Sequence, residues 1–441
     1  MVKENEMKQE RLALLGGPKA VPEEPEHLFA WPILTEEDEE AVLDVLRKRT
    51  MSGTEITRTF EEEFASWAGV SHTIAYCNGT AALLAAMWAC GVGLGDEIIC
   101  PSLTFWASAV PALTLGAAVN FADVDPHTLC IDPEDIEHRI GGRTKAIVVV
   151  HYCAHPCDMD RILAIAKRHS IKVIEDTSHA QGSLYKGRMC GTMGDVGVMS
   201  LMSAKSFAIG EGGMLLTNDR QIFERCIAYG FYERTGAASE FFSANNEITD
   251  KTLLQYSGLP LGGFKHRMHQ MSSAVGRVQL KHYPSRIEEI QRAMHYFWDL
   301  LADVPGLIAH RTEPGSGSTM GGWYSAHGLL DLDINAALIC RALQAEGISA
   351  CAPTRNKALH LHPVFHTADV LRTGKPTMIA FTERDVRQGE GSLPHAEGAQ
   401  DYAFSIPWFK HCDVPWIERY AQGFRKVFSQ LDRLRKGAEG Q

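Results

Sequence analysis

Between about residue 70 and residue 220 the chain alternates short apolar runs with segments of helical periodicity, and this constrains its fold more than any other feature. The runs are HTIAYC, EIICP, AVNFAD, AIVVVHY, KVIED, GVMSL and GMLLT. Helical patterns such as TAALLAAMWACG and DMDRILAIAKRHS lie between them. Strands that are apolar on both sides need cover on both faces, and the alternation with helices supplies it. The expected fold class is α/β, built on a mostly parallel sheet. Residues 232–262 read as a long excursion, polar and aromatic by turns, of the kind that carries function and covers a site. SRIEEIQRAMHYFWDLLADV then predicts a long amphipathic helix starting at Ser285, and VPWIERYAQGFRKVFSQLDRLRK predicts a closing one. The expected organisation is an N-terminal segment over 1–50, a large α/β domain over 51–285 and a smaller C-terminal domain over 286–441.

The bulk numbers exclude several classes of function. The 441 residues carry a net charge of −11 with no long basic tract, which argues against nucleic acid as a partner. The longest mostly apolar run, FWASAVPALTLGAAVNFA, is broken by proline, glycine and asparagine, so no membrane span is expected. The first residues lack the apolar core of a secretory signal. Eleven scattered cysteines fit reduced thiols, and a cytoplasmic location is expected.

Four stretches carry chemistry. In YCNGTAALL a strand runs into Asn78-Gly79-Thr80 and a small-residue helix, aiming amides and a hydroxyl at an anion; a plain N-cap would use the same residues. In KVIEDTSHAQG, Asp176 ends a buried strand, where open α/β sheets place their ligands. A buried carboxylate there needs a cation such as a protonated pyridine, or else serves as a helix cap. His179 is placed to bond a ring hydroxyl or simply to pack. Phe105 and Trp106 follow another strand end, where one can stack on a flat ring or both can join the core. In MSLMSAKSFAIGEGG, Ser200 is a phosphate donor or an ordinary strand hydroxyl. Lys205 is the only cation among small and apolar neighbours: it is either a loop lysine that snorkels its head to water or one whose setting lowers its pKa and makes a nucleophilic amine. Together these describe the protein side of a pyridoxal phosphate site. HYCAHPCD places His151, Cys153, His155 and Cys157 at alternate positions, on one face of an extended strand. That spacing wraps a tetrahedral ion poorly, so no metal site is expected.

With NGTAAL, PSLTFWASA, VIEDTSHAQG, MSLMSAKSFAIGEGG and GGFKHRMHQMSSAVGRVQL in this order, the chain resembles the DegT/DnrJ/StrS sugar aminotransferases of fold-type I pyridoxal phosphate enzymes. The resemblance runs from LLGGPKA to the last helix. It implies a large domain with a mostly parallel seven-stranded sheet and a smaller α+β C-terminal domain. It also implies that Lys205 forms the Schiff base and shuttles a proton, that Asp176 holds the pyridine nitrogen, that His179 contacts the ring hydroxyl and that Phe105 stacks. Gly79, Thr80, Ala81 and Ser200 match the phosphate contacts. The family's GxNxR motif reads Gly263-Phe264-Lys265-His266-Arg267 here, so Lys265 would reach the phosphate of a neighbouring subunit in a homodimer with shared sites. Arg267, His360 and His362 are candidates for substrate contact. Dehydratases of the family replace the lysine with histidine; this chain keeps Lys205. The implied reaction is therefore transfer of an amino group from glutamate or glutamine to a nucleotide-linked keto-sugar or an inosose-type cyclitol. A dehydratase, or a non-catalytic sugar-binding or cofactor-binding regulator on the same fold, is the alternative.

Overall fold

All seven apolar runs become strands of one sheet in the computed structural model, which describes residues 11–236, 246–331 and 334–439. They are β1 (His72–Tyr76), β2 (Glu97–Pro101), β3 (Ala118–Ala122), β4 (Thr144–Val150), β5 (Lys172–Asp176), and, after a small hairpin of β6 (Leu184–Tyr185) and β7 (Arg188–Met189), β8 (Val196–Ser200) and β9 (Gly213–Thr217). The spatial order is β1-β9-β8-β5-β4-β2-β3. Only β9 runs antiparallel to its neighbours. Six strands therefore share a direction, and the loops leaving their C-terminal ends converge on one edge, where sheets of this kind bind ligands. Every residue of β2, β3 and β9 is buried, as strands covered on both faces must be.

The sheet's edges are closed by side chains rather than by further strands. On β3, the Phe121 amide donates to Gln388 Oε1 at 3.0 Å and the Phe121 carbonyl accepts from Gln388 Nε2 at 2.8 Å. On β1, the Ala75 amide donates to Glu61 Oε1 at 2.7 Å.

A second sheet comprises β10 (Leu307–Ala309), β11 (His327–Leu330), β12 (Ala352–Pro353) and β13 (Ala403–Ser405), antiparallel throughout in the order β10-β11-β13-β12. Its core joins Phe297, Trp323, Ile339, Phe404 and Phe424 with Leu12 and Val21 from the start of the chain. Glu346 ties that start down, accepting from the Ala13 and Ala20 amides and from Lys426 Nζ. Phe365, Met378, Val386 and Leu393 return instead to the core of the large sheet.

The long helix spans Gln270–Asp299 and passes through Pro284, starting well before Ser285 where periodicity placed it. Ser273, Ala274, Val278 and Tyr283 of its first half are buried, and this packing carries the helix across the one hydrogen bond that proline removes. Of the 232–262 excursion, residues 237–245 lie outside the described residues. The remainder is held by buried Arg234, which pairs with Glu61 at 2.9 Å and Glu247 at 2.6 Å. No described helix is long and apolar enough to cross a membrane.

Candidate active site

One cavity of about 920 Å³ opens at the C-terminal edge of the large sheet. At one end, the helix Gly79–Ala89 begins directly after β1, capped by Asn78 Oδ1 accepting the Ala81 amide at 2.8 Å. Ala81 thus spends its amide on the cap and does not line the cavity. Gly79, Thr80, Ser178 and Ser200 do. A Cβ on Gly79 would stand 2.9 Å from both Cα and Cβ of Ser200, so only glycine lets the helix start meet the end of β8 this closely. Ser178 joins this wall by accepting the Ser200 amide at 2.9 Å. The first-turn amides of a helix have no intrahelical acceptor and face an anion well.

Asp176, the last residue of β5, is buried. Ser108 Oγ donates to its Oδ2 at 2.7 Å and the Ser178 amide to its Oδ1 at 3.0 Å. Among the described residues it has no lysine or arginine within ion-pair distance, so the carboxylate is oriented yet left to take a cationic group from the cavity. His179 lies between Tyr152 and Tyr324, its ring 5.3 Å and 4.9 Å from theirs. Burial, reinforced by the nearby charge of Lys205, holds its pKa well below the usual histidine value. The Cys153 amide donates to Nδ1 at 3.4 Å, which assigns the proton of the neutral ring to Nε2. At the mouth, Phe105 is 50% and Trp106 45% exposed, unusual for large aromatics and suited to stacking on a flat ring.

Lys205 sits in the loop between β8 and β9, its amide donating to the Met202 carbonyl at 2.8 Å and its carbonyl accepting from Trp31 Nε1 at 2.8 Å. The side chain is buried, with Nζ 4.3 Å from the centroid of the Tyr324 ring. Burial pulls its pKa down to about 8, against partial support for the charge from Asp176 and Cys153. An amine so placed is a nucleophile near neutral pH.

The remaining sequence candidates lie elsewhere. Lys265 is exposed and outside this cavity, and Arg267 faces Glu233 at 4.0 Å. His360 is buried behind the cavity, bridging Ser102 Oγ at 2.7 Å and Glu397 Oε1 at 3.1 Å. His362 is exposed and accepts the Val364 amide at 3.2 Å. The HYCAHPCD stretch is not an extended strand, because β4 ends at Val150 and Cys153 and Ala154 turn with φ of 49° and 71°. His151 instead pairs with Glu175 at 3.0 Å in the core. Among the described residues no cluster of three or more His, Cys, Asp or Glu side chains is arranged to hold a metal ion. Tyr324, Arg355 and Asn356 line the cavity with no sequence signal to announce them, while Tyr152 lies just past the end of β4, a strand-end position that could have marked it.

The donor set fits pyridoxal phosphate. Glycine clears the phosphate end, a buried carboxylate without a cation waits at a strand end, and an amine of lowered pKa faces the same space. Known proteins agree. The chain is 35% identical over 280 residues to the spore coat polysaccharide biosynthesis protein SpsC of Bacillus subtilis, covering 64% of this chain and 70% of that one. It is 34% identical over 308 residues to the L-glutamine:2-deoxy-scyllo-inosose aminotransferase of Streptomyces lividus, covering 68% and 70%. The crystal structure of an aminotransferase from Psychrobacter cryohalolentis superposes with a TM-score of 0.77 at 29% identity, covering 91% of this chain and 98% of the other. The model of the DegT/DnrJ/EryC1/StrS aminotransferase family matches residues 32–405 and so takes in every residue lining the cavity. The chain belongs to that family and is a pyridoxal phosphate-dependent aminotransferase.

Proposed function

We propose that the enzyme moves an amino group from glutamate or glutamine to a ring ketone, borne by a nucleotide-linked keto-sugar or an inosose-type cyclitol. The relative named for L-glutamine and 2-deoxy-scyllo-inosose supports both halves of this reading. The observation that carries it is the buried Lys205 amine, facing the same cavity as Asp176 and the helix start at Gly79. Bound there, pyridoxal phosphate would supply an aldehyde to carry the amino group between donor and ketone and an electron-withdrawing ring to stabilise the charge that develops. Gly79, Thr80 and Ser200 would hold the phosphate, Phe105 would stack on the ring, and His179 would offer its Nε2 proton to a ring oxygen. Asp176, aligned by Ser108 and the Ser178 amide, keeps a proton on the ring nitrogen. Lys205 Nζ would take up a proton and return it. Lys265 stands exposed outside its own chain's cavity, which supports a homodimer in which it reaches the phosphate held by the neighbouring subunit.

The near-visible absorbance of the cofactor-loaded protein tests the reading. Wild type is expected to show a Lys205-dependent band that is lost when glutamate or glutamine is added, and Lys205→Ala, which retains only the absorbance of the cofactor's own aldehyde, is expected to show neither that band nor amino-group transfer. A loaded wild type with no Lys205-dependent band would sink the catalytic reading.

A further inference from the structure

Two basic side chains, Lys205 and Arg355, line the cavity. The cavity's histidines do not add to them, because burial keeps His179 neutral and pulls His327 down to about 4. Lys205 is committed to the cofactor. Arg355 is exposed to the cavity and makes no hydrogen bond, ion pair or ring contact with the described residues. Its backbone, by contrast, is pinned on both sides. The Thr354 amide donates to the Ala403 carbonyl at 2.9 Å, the Thr354 carbonyl accepts from Gln400 Nε2 at 3.1 Å, and Asn356 Nδ2 donates to Tyr152 Oη at 3.0 Å. A fixed backbone carrying an uncommitted guanidinium is the arrangement of a binding residue, whereas Arg234, with carboxylates on two sides, is structural.

We propose that Arg355 binds the anionic oxygens of the substrate, a carboxylate or a phosphate, and so orients the substrate across the Tyr324 ring from Lys205 Nζ. The assignment rests on the amino-donor and keto-sugar reading above and extends it to a residue outside the family motifs described here. Burial raises the pKa of the Tyr324 hydroxyl and the charge of Arg355 works against that rise, while the same ring lies 4.3 Å from Lys205 Nζ. A guanidinium takes either anion through paired hydrogen bonds. Every amino-acid donor brings a carboxylate; a nucleotide-linked keto-sugar brings a diphosphate, and a cyclitol ketone brings neither.

The test uses the cofactor-loaded enzyme with Arg355→Gln and Arg355→Lys, and with Lys357→Gln as a charge-matched change on the same turn. L-glutamine is titrated against the near-visible band, and UDP is titrated by calorimetry. Arg355→Gln is expected to raise the half-saturating concentration of at least one ligand about 10- to 100-fold, with Arg355→Lys between it and wild type. A rise for L-glutamine alone assigns the carboxylate, a rise for UDP alone assigns the diphosphate, and a rise for both assigns one anion subsite used in turn. If UDP does not bind the wild type, L-glutamine decides alone. Unchanged affinities in Arg355→Gln overturn the proposal, as does an equal response from Lys357→Gln, which would reduce the effect to net charge. A wild type that gives no response to any amino donor refutes the donor reading itself; a normal wild-type response with an unaltered Arg355→Gln refutes only this assignment.

Discussion

Gly79→Ala puts the geometry of the phosphate cradle to a quantitative test. The new methyl would lie 2.9 Å from Ser200 Cα and Cβ and 3.1 Å from the Ser200 amide nitrogen, so most of what it meets is strand backbone that cannot swing aside. The helix start is also gripped from β9, where a Cβ on Gly213 would stand 2.6 Å from the Asn78 carbonyl. Restoring ordinary contact moves the first helical turn by roughly half an ångström, and overpacking of this kind costs about 1–3 kcal/mol. If the helix start retreats, its amides and Thr80 lose their alignment on the phosphate. That cost, felt in the bound state, raises the Kd for pyridoxal phosphate about 5- to 150-fold. Titration of the apoenzyme with the cofactor, read by absorbance, measures it. Gly398→Ala is the comparison, since nothing lies within 4 Å of a Cβ at that helical position and its cofactor affinity is expected to match wild type. Wild-type affinity in Gly79→Ala would refute the cradle.

Two further outcomes follow from the same geometry. Labelling of the apoenzyme by an amine-selective reagent, read at Lys205 by mass spectrometry, is expected to rise with pH through a midpoint near 8, because burial favours the neutral amine. Since the unfolded chain binds this proton up to about 10.5, Lys205 also makes the apoenzyme more stable as pH rises from 8 through that value; a labelling midpoint of an ordinary surface lysine contradicts both. His360→Ala removes the buried bridge between Ser102 and Glu397 and is expected to cost about 2–4 kcal/mol in chemical denaturation while leaving the donor KM unchanged. A raised KM without lost stability would return His360 to the substrate.

What could be read in the sequence is what is local. Each of the seven strands is a short apolar run with its own boundaries, and a mostly parallel sheet brings strand ends to one edge. Thr80, Phe105, Asp176 and Ser200 therefore needed only their own neighbourhoods to be placed beside one another, and Lys205 follows β8 by five residues. Local spacing failed where tertiary packing decides the backbone. HYCAHPCD has the period of a strand, but β4 stops at Val150 and the chain turns through left-handed Cys153 and Ala154. The amphipathic pattern starts at Ser285, but packing of the preceding turns carries the helix back through Pro284 to Gln270. The histidines of ALHLHPVF have the polarity of site residues, and the fold uses them in a buried bridge and a turn cap. Conversely, Tyr324 and Arg355 reach the cavity from the second sheet's connections, more than a hundred residues after Lys205. Neither has a distinctive neighbourhood: Tyr324 comes just before β11 and Arg355 just after β12, and long-range packing brings both to the cavity. The residues matched to the cofactor thus lie at or near strand ends, while Tyr324 and Arg355 are brought to the cavity by long-range contacts. If Arg355 binds substrate as proposed, substrate choice can change at such a position without disturbing the sheet that carries Asp176 and leads into Lys205.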